Sequence, residues 1–136
     1  MGMWKQIKAL FGDDRPRHLR HGELGERAAK KHLRRHGLKF LTANFRDKYG
    51  EIDLIFRDGE VLAFVEVKTR SSEEWTRPAD AVDPKKQRRL TRTAETYLRK
   101  LGYPEVCHRF DIVEVLLQDG RVSDLRHLPD AFPPAD

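Results

Sequence analysis

The chain has one cysteine, Cys107, so no disulfide can close within it, and a reducing, cytoplasmic setting is expected. It has no run of about 18 apolar residues, so neither a membrane-spanning helix nor a membrane partner is expected. The opening MGMWKQIKALFGDD lacks the continuous apolar stretch and small-residue cleavage site of a secretory signal. Its Trp4, Ile7, Leu10 and Phe11 instead make residues 1–18 a basic amphipathic arm that packs on the domain or on a partner. There is no repeat and no internal linker. His32 and His36 sit i, i+4 on one helix, but no cysteine pair or further close ligand joins them, and Lys31, Arg34 and Arg35 would repel a cation. Gly22 and Gly25 make no phosphate loop, because no strand leads into them and no Gly-Lys-Ser/Thr follows.

What is present is charge. Charged residues make up 36% of the 136 positions and apolar ones only 38%, which suits a small, highly solvated α/β domain. A single domain over residues 19–130, with 131–136 as a tail, would bury roughly two-thirds of its unfolded surface. The net charge of +5 is unevenly spread. Residues 1–35 carry ten Lys/Arg against four acids, and 77–100 carry eight against three. Residues 36–76 run six against eight, and 101–136 three against seven. Two basic stretches thus flank an acidic centre, as suits a polyanion drawn to a metal, although Lys- and Arg-rich helices are also ordinary solvated faces.

Periodicity predicts a helix over 21–36, capped by Gly37, with an inward stripe through Gly22, Glu26, Ala29 and Leu33. An acid on that stripe is anomalous. Glu26 could pair with an arginine, lie at the edge of the core, or join other acids. Strands are expected over 38–45, 50–57, 60–69 and 109–117, with a weaker one near 122–128. Asp83-Pro84 starts a second helix, to about Leu101, with Leu90, Ala94, Tyr97 and Leu101 inward. Residues 71–83 read as a loop. A hairpin followed by a crossover helix and another strand gives a three-layer α/β sandwich with a mixed sheet between helices.

The two hairpin strands carry charges where apolar residues belong. A two-residue turn at Asp58-Gly59 would set Arg57 against Glu60, Ile55 against Leu62, Asp53 against Phe64 and Glu51 against Glu66. Asp53, Glu66 and Lys68 then project from one face. Two carboxylates and an ammonium on one face of an apolar sheet can hold a metal beside a water-activating lysine, which is nuclease chemistry. They can equally be a turn cap and a structural Glu66–Lys68 ion pair. Asp111, mid-strand, is expected to be a buried partner of an arginine.

Gly50-Glu51-Ile52-Asp53 followed by Glu66-Val67-Lys68, thirteen residues after the Asp, resembles the metal site of the PD-(D/E)XK nuclease superfamily. Ile52 stands where that name has proline, at a position variable in the superfamily. With the Gly-Glu-Leu-Gly-Glu-Arg-Ala-Ala helix start, Asn44-Phe45-Arg46, Lys86-Gln87-Arg88-Arg89-Leu90 and Arg109-Phe110-Asp111-Ile112-Val113, the stretch from Gly22 to about Leu128 resembles the YraN family (UPF0102), itself similar to archaeal Holliday junction resolvases.

The resemblance implies a restriction-endonuclease-like fold and a Mg²⁺- or Mn²⁺-dependent endonuclease. Its substrate would be DNA ahead of RNA, branched or structured, and a homodimer is compatible with it. Asp53, Glu66 and the Val67 backbone carbonyl would hold the metal. Glu26 would anchor a second ion or its water, and Lys68 would act on the attacking water or the charged transition state. Lys85, Lys86, Gln87, Arg88 and Arg89, with Arg46 and Arg70, would contact nucleic acid. The competing expectations are a nucleic-acid-binding protein without useful turnover, and a protein-interaction module.

Overall fold

Five strands, the inner ones buried on both faces over most of their length, form a sheet covered by two amphipathic helices. The structure, a computed structural model, describes residues 2–4, 22–71, 75 and 82–135. Helix α1 (Glu23–Arg35) precedes β1 (Lys39–Arg46), β2 (Glu51–Asp58) and β3 (Val61–Arg70). Helix α2 (Pro84–Lys100) then leads to β4 (Cys107–Gln118) and β5 (Arg121–Phe132). The spatial order equals the chain order, β1-β2-β3-β4-β5. All pairs are antiparallel except β3 with β4, which run parallel because α2 carries the chain back between them. The amphipathic arm expected over 1–18 lies outside the described residues apart from 2–4, and the loop expected over 71–83 apart from 71, 75, 82 and 83.

Each helix closes one face. Leu90, Ala94 and Tyr97 of α2 pack on Leu41, Ile52, Ile55, Leu62, Phe64, Phe110 and Ile112. Ala29 and Leu33 of α1 pack on Phe40, Leu54, Phe56, Ala63, Val65, Val113 and Val115. The result is the three-layer sandwich expected from sequence. Asp83 caps α2 through a hydrogen bond from the Lys86 amide, 2.8 Å, with Pro84 at the first helical position. Gly37, at φ +89, ends α1.

Three expectations need correction. The buried stripe of α1 runs through Gly25, Ala29 and Leu33, not Gly22 and Glu26. Gly25 is buried because α1 rests on Thr69 of β3, where a Cβ would collide with the threonine hydroxyl. The hairpin turn is Gly59-Glu60, since Asp58 pairs with Val61 and Arg57 with Leu62. Gly59 has φ +61, which places glycine at the first central position of the two-residue loop, as a II′ connection asks. The register therefore moves by one residue on each strand. Phe64 comes opposite Ile55 instead of Asp53, the β2–β3 pairing runs from Asp58–Val61 to Leu54–Val65, and on its other edge β2 pairs Glu51 with Arg46 of β1. Finally, β5 continues to Phe132, whose ring stacks on Phe110 with centroids 5.1 Å apart.

Two polar networks tie the fold together, one within the sheet and one between the sheet and α2. Asp111, fully buried on β4, accepts from Arg109 Nε at 2.8 Å and Nη2 at 3.1 Å. His127 Nε2 lies 2.8 Å from Oδ2, the oxygen that also accepts from Nη2, and the Asp130 amide donates to Oδ1 at 3.0 Å. Burial alone would raise this carboxyl, but those partners outweigh it and hold it below the usual range. The buried pair with an arginine is thus as expected, with a histidine added.

Asp47, in the β1–β2 turn, accepts from Thr93 at 2.9 Å and Thr96 at 2.6 Å on α2. It also accepts from the amides of Tyr49 and Gly50 at 2.9 and 3.1 Å. Burial pushes Asp47 up, yet the Thr96 and Thr93 hydroxyls and the two amides bring it below its ordinary value.

A folded pKa below the unfolded one stabilises the fold above the unfolded value and loses that contribution as pH falls through the folded value. Asp47→Ala is accordingly expected to cost about 2 kcal/mol at neutral pH. In urea melts from pH 7 to pH 2.5, its deficit relative to wild type should shrink below about pH 4. A constant deficit across that range would remove the charge from the account.

Candidate active site

The carboxyl-terminal half of β3 is where both helix starts converge. Gly25 and Glu26 in the first turn of α1 approach it at Thr69, and Lys86 in the first turn of α2 reaches Glu66. Helix N-termini bring partial positive charge and unpaired N–H groups, so this end of the sheet favours anions. It is also the carboxyl end of the parallel β3–β4 pair, the place where open α/β sheets take ligands.

Glu66 is buried, and its Oε2 lies 3.3 Å from Lys86 Nζ and 3.7 Å from Lys68 Nζ. Lys68 shares its face of β3, two residues on, as the alternation requires. Asp53 arrives from β2 and accepts from the Val67 amide at 2.8 Å. Around it the alternation slips. Ile52 and Ile55 pack with α2, whereas Leu54 and Phe56 pack with α1. That irregularity lets Asp53 reach across to the Val67 amide beside Glu66. The Asp53 carboxyl is held well above its ordinary range, first by burial and then by the charge of Glu66. The Val67 amide pulls the other way, and Glu26 and Glu51 add to the repulsion.

Glu26 therefore belongs to the acidic group, though at its rim. Asn44 Nδ2 bridges Glu26 at 3.4 Å and Glu51 at 2.9 Å. Asn44 was not among the expected site residues. Its φ of +55 is a conformation asparagine tolerates better than most residues, and its Oδ1 is buried with no hydrogen-bond partner. Nothing in the sequence marked it except its place beside Phe45-Arg46.

The expected nucleic-acid contacts divide. Lys85, Arg88 and Arg89 are exposed on the outer side of α2. Lys86 turns in toward Glu66, whereas Gln87 donates to the Val82 carbonyl at 3.1 Å. Arg46 lies 3.3 Å from Glu51, and Arg70 turns to buried Glu114. The last two are occupied within the protein.

The donor set fits a small hard cation. Among the described residues no three His, Cys, Asp or Glu side chains form a self-sufficient cage. Magnesium-class ions need none, since they take one or two carboxylates and keep several waters. Two carboxylates that disfavour each other's charge, next to a buried unpartnered Asn44 oxygen, are a donor set a divalent cation would relieve.

A carboxyl whose folded pKa is raised costs stability as pH climbs out of the usual carboxylate range, because the unfolded chain ionises first. Asp53→Asn should therefore melt higher than wild type at pH 7.5 in EDTA. Adding millimolar Mn²⁺ should raise the wild-type Tm and leave the variant unmoved. Equal responses of the two proteins to Mn²⁺ would show that Asp53 holds no ion.

The family model described as "Uncharacterised protein family UPF0102" matches residues 25–115. A UPF0102 protein of Symbiobacterium thermophilum is 50% identical over 114 residues, covering 83% of this chain and 96% of that one. One from Geobacter metallireducens is 41% identical over 111 residues, covering 82% and 90%. A third, from Geotalea uraniireducens, is 40% identical over 123 residues, covering 90% and 97%. These names assign no activity. Among the described residues no helix is long and apolar enough to cross a membrane.

Proposed function

The chain belongs to the UPF0102 family, and from that premise we propose that it is a cytoplasmic, metal-dependent endonuclease that hydrolyses phosphodiesters in DNA, branched or otherwise structured. The observation that carries this reading is the Asp53–Glu66 pair, two mutually repelling carboxylates set beside Lys68 and Lys86. A binding protein has no use for clustered acids where phosphate must come. An enzyme that recruits a cation has.

The residues divide the work by charge and position. Asp53, Glu66 and the Val67 carbonyl are the groups that would hold Mg²⁺ or Mn²⁺, with Glu26 a candidate for a second ion. When bound, the ion supplies the positive charge that polarises a phosphodiester and lowers the pKa of water. The Val67 amide orients Asp53, and the two lysines orient Glu66. Lys68 offers ammonium N–H donors to the charge that builds on the phosphate oxygens as water attacks and the opposite P–O bond breaks. Lys85, Arg88 and Arg89 stand where they can hold neighbouring phosphates of the same polyanion. Structured DNA is favoured over plain duplex by the family's similarity to junction-cutting nucleases, an argument of analogy.

The test is cleavage of labelled duplex, single strand, flap, four-way junction and RNA with Mg²⁺, Mn²⁺ or EDTA. Cutting is expected only with metal. Lys68→Ala should slow it about 10²- to 10⁴-fold, and Asp53→Asn and Glu66→Gln at least about 10²-fold. Salt-sensitive binding with no cutting, indifferent to these substitutions, would leave a nucleic-acid-binding protein.

A further inference from the structure

Beyond the carboxylates, the same sheet face carries a row of charged residues of which the proposed hydrolysis uses Lys68 alone. Lys68, Glu114 and Arg126 pair in register across β3, β4 and β5. Neighbouring strands lie about 4.8 Å apart, so the Arg126 backbone stands roughly 10 Å along this row from that of Lys68. Glu114 is buried, with Arg126 Nε at 3.0 Å from one oxygen and Arg70 Nε at 3.6 Å from the other. That Arg70 nitrogen is itself buried and makes no hydrogen bond. The Arg126 guanidinium lies over the Trp75 ring, 3.7 Å from its centroid, while the Arg126 side chain is 31% exposed. Trp75 is partly exposed.

We propose that Trp75 and Arg126 form a stacking site for an unpaired nucleobase, on the strand whose phosphate enters the Asp53–Glu66 cluster. The proposal rests on the nucleic-acid reading above and narrows it to substrates with an unpaired nucleotide beside the scissile bond. A cation–π contact could merely pin Trp75 to the sheet. For that purpose a buried carboxylate is a costly support, since an aliphatic pair would hold the indole without desolvating a charge. Glu114 does something an aliphatic residue cannot, which is to fix the plane of a guanidinium and leave it charged.

A flat cation on an indole matches the face of a base. Nucleic-acid-binding proteins use aromatic rings and arginine planes in this way for bases released from a helix. The phosphates have other cations to meet, Lys68, Lys86 and the exposed Lys85, Arg88 and Arg89 of α2. A base inside a duplex has both faces covered, so the site selects unpaired or terminal ones.

The chain has two tryptophans, so Trp4→Phe leaves Trp75 as the only indole reporter. This protein is titrated in EDTA with fluorescein-labelled oligo(dT) and with a blunt hairpin duplex of equal length, following anisotropy and Trp75 emission together. The expected result is saturable quenching of Trp75 by oligo(dT) and none by the duplex. Arg126→Lys, which keeps the charge and loses the plane, should weaken oligo(dT) binding about 5- to 100-fold and leave duplex binding unchanged. Trp75→Leu should do the same by anisotropy, with an unchanged far-UV spectrum.

Oligo(dT) binding with Trp75 emission unmoved and both variants at wild-type affinity would reduce the pair to a structural pin, with the nuclease reading intact. Failure of any nucleic acid to bind would overturn both.

Discussion

A carboxylate taken into a β-sheet costs several kcal/mol unless another group answers its charge, and this fold places acids on all three inner strands. Asp111 is answered in full, by a two-pronged arginine, a histidine and an amide. Glu114 is answered by one close arginine and one more distant. Among the described residues, Glu66 is answered by two lysines, at 3.3 and 3.7 Å. Asp53 is answered by the Val67 amide and opposed by the charges of Glu66, Glu26 and Glu51. Compensation thus falls away toward one corner of the sheet, and the acids left short there are the two that point to chemistry.

That corner exists because of how the chain returns. Only one connection crosses the sheet, and it makes β3 and β4 parallel. Both helices then start at the carboxyl end of the pair. Two positively polarised helix ends and the cations of α2 sit around the uncompensated acids. On the function proposed above, a polyanion would be drawn to the rim and a cation to the centre. The Asp47 network ties the β1–β2 turn, which leads into the strand carrying Asp53, to the helix carrying Lys86.

Much of this was legible in the residues. The apolar alternation, Asp83-Pro84 and Gly37 delimit the elements, because caps and periodicity are local properties. Glu66 and Lys68 share a face whatever the turn, being two residues apart on β3. Moving the loop from Asp58-Gly59 to Gly59-Glu60 shifts the pairing by one residue on each strand, and Asp53 meets the charge of Glu66 through the slipped alternation of β2 and not through the regular period. What stayed hidden depends on irregular backbone or distant pairing. The bulge between Phe40 and Thr42, the positive φ of Asn44 and the slipped alternation at Asp53 have no signature in a two-residue period. His127 meets Asp111 only after β5 folds back along β4. Arg46 and Arg70 were read as nucleic-acid contacts because their charge is visible in the sequence, whereas their closeness to Glu51 and Glu114 is not.

The contact between Gly25 and Thr69 sets a dimension. A helix that contributes no side chain of its own at the point where it rests on Thr69 sits at a fixed height, and the first-turn acid that follows Gly25 inherits it. Any other L-residue there would have to lift α1 or turn Thr69, and lifting the helix would carry Glu26 away from the sheet. The position works as a gauge block, and the tolerance on the acidic cluster is set by an absent methyl group.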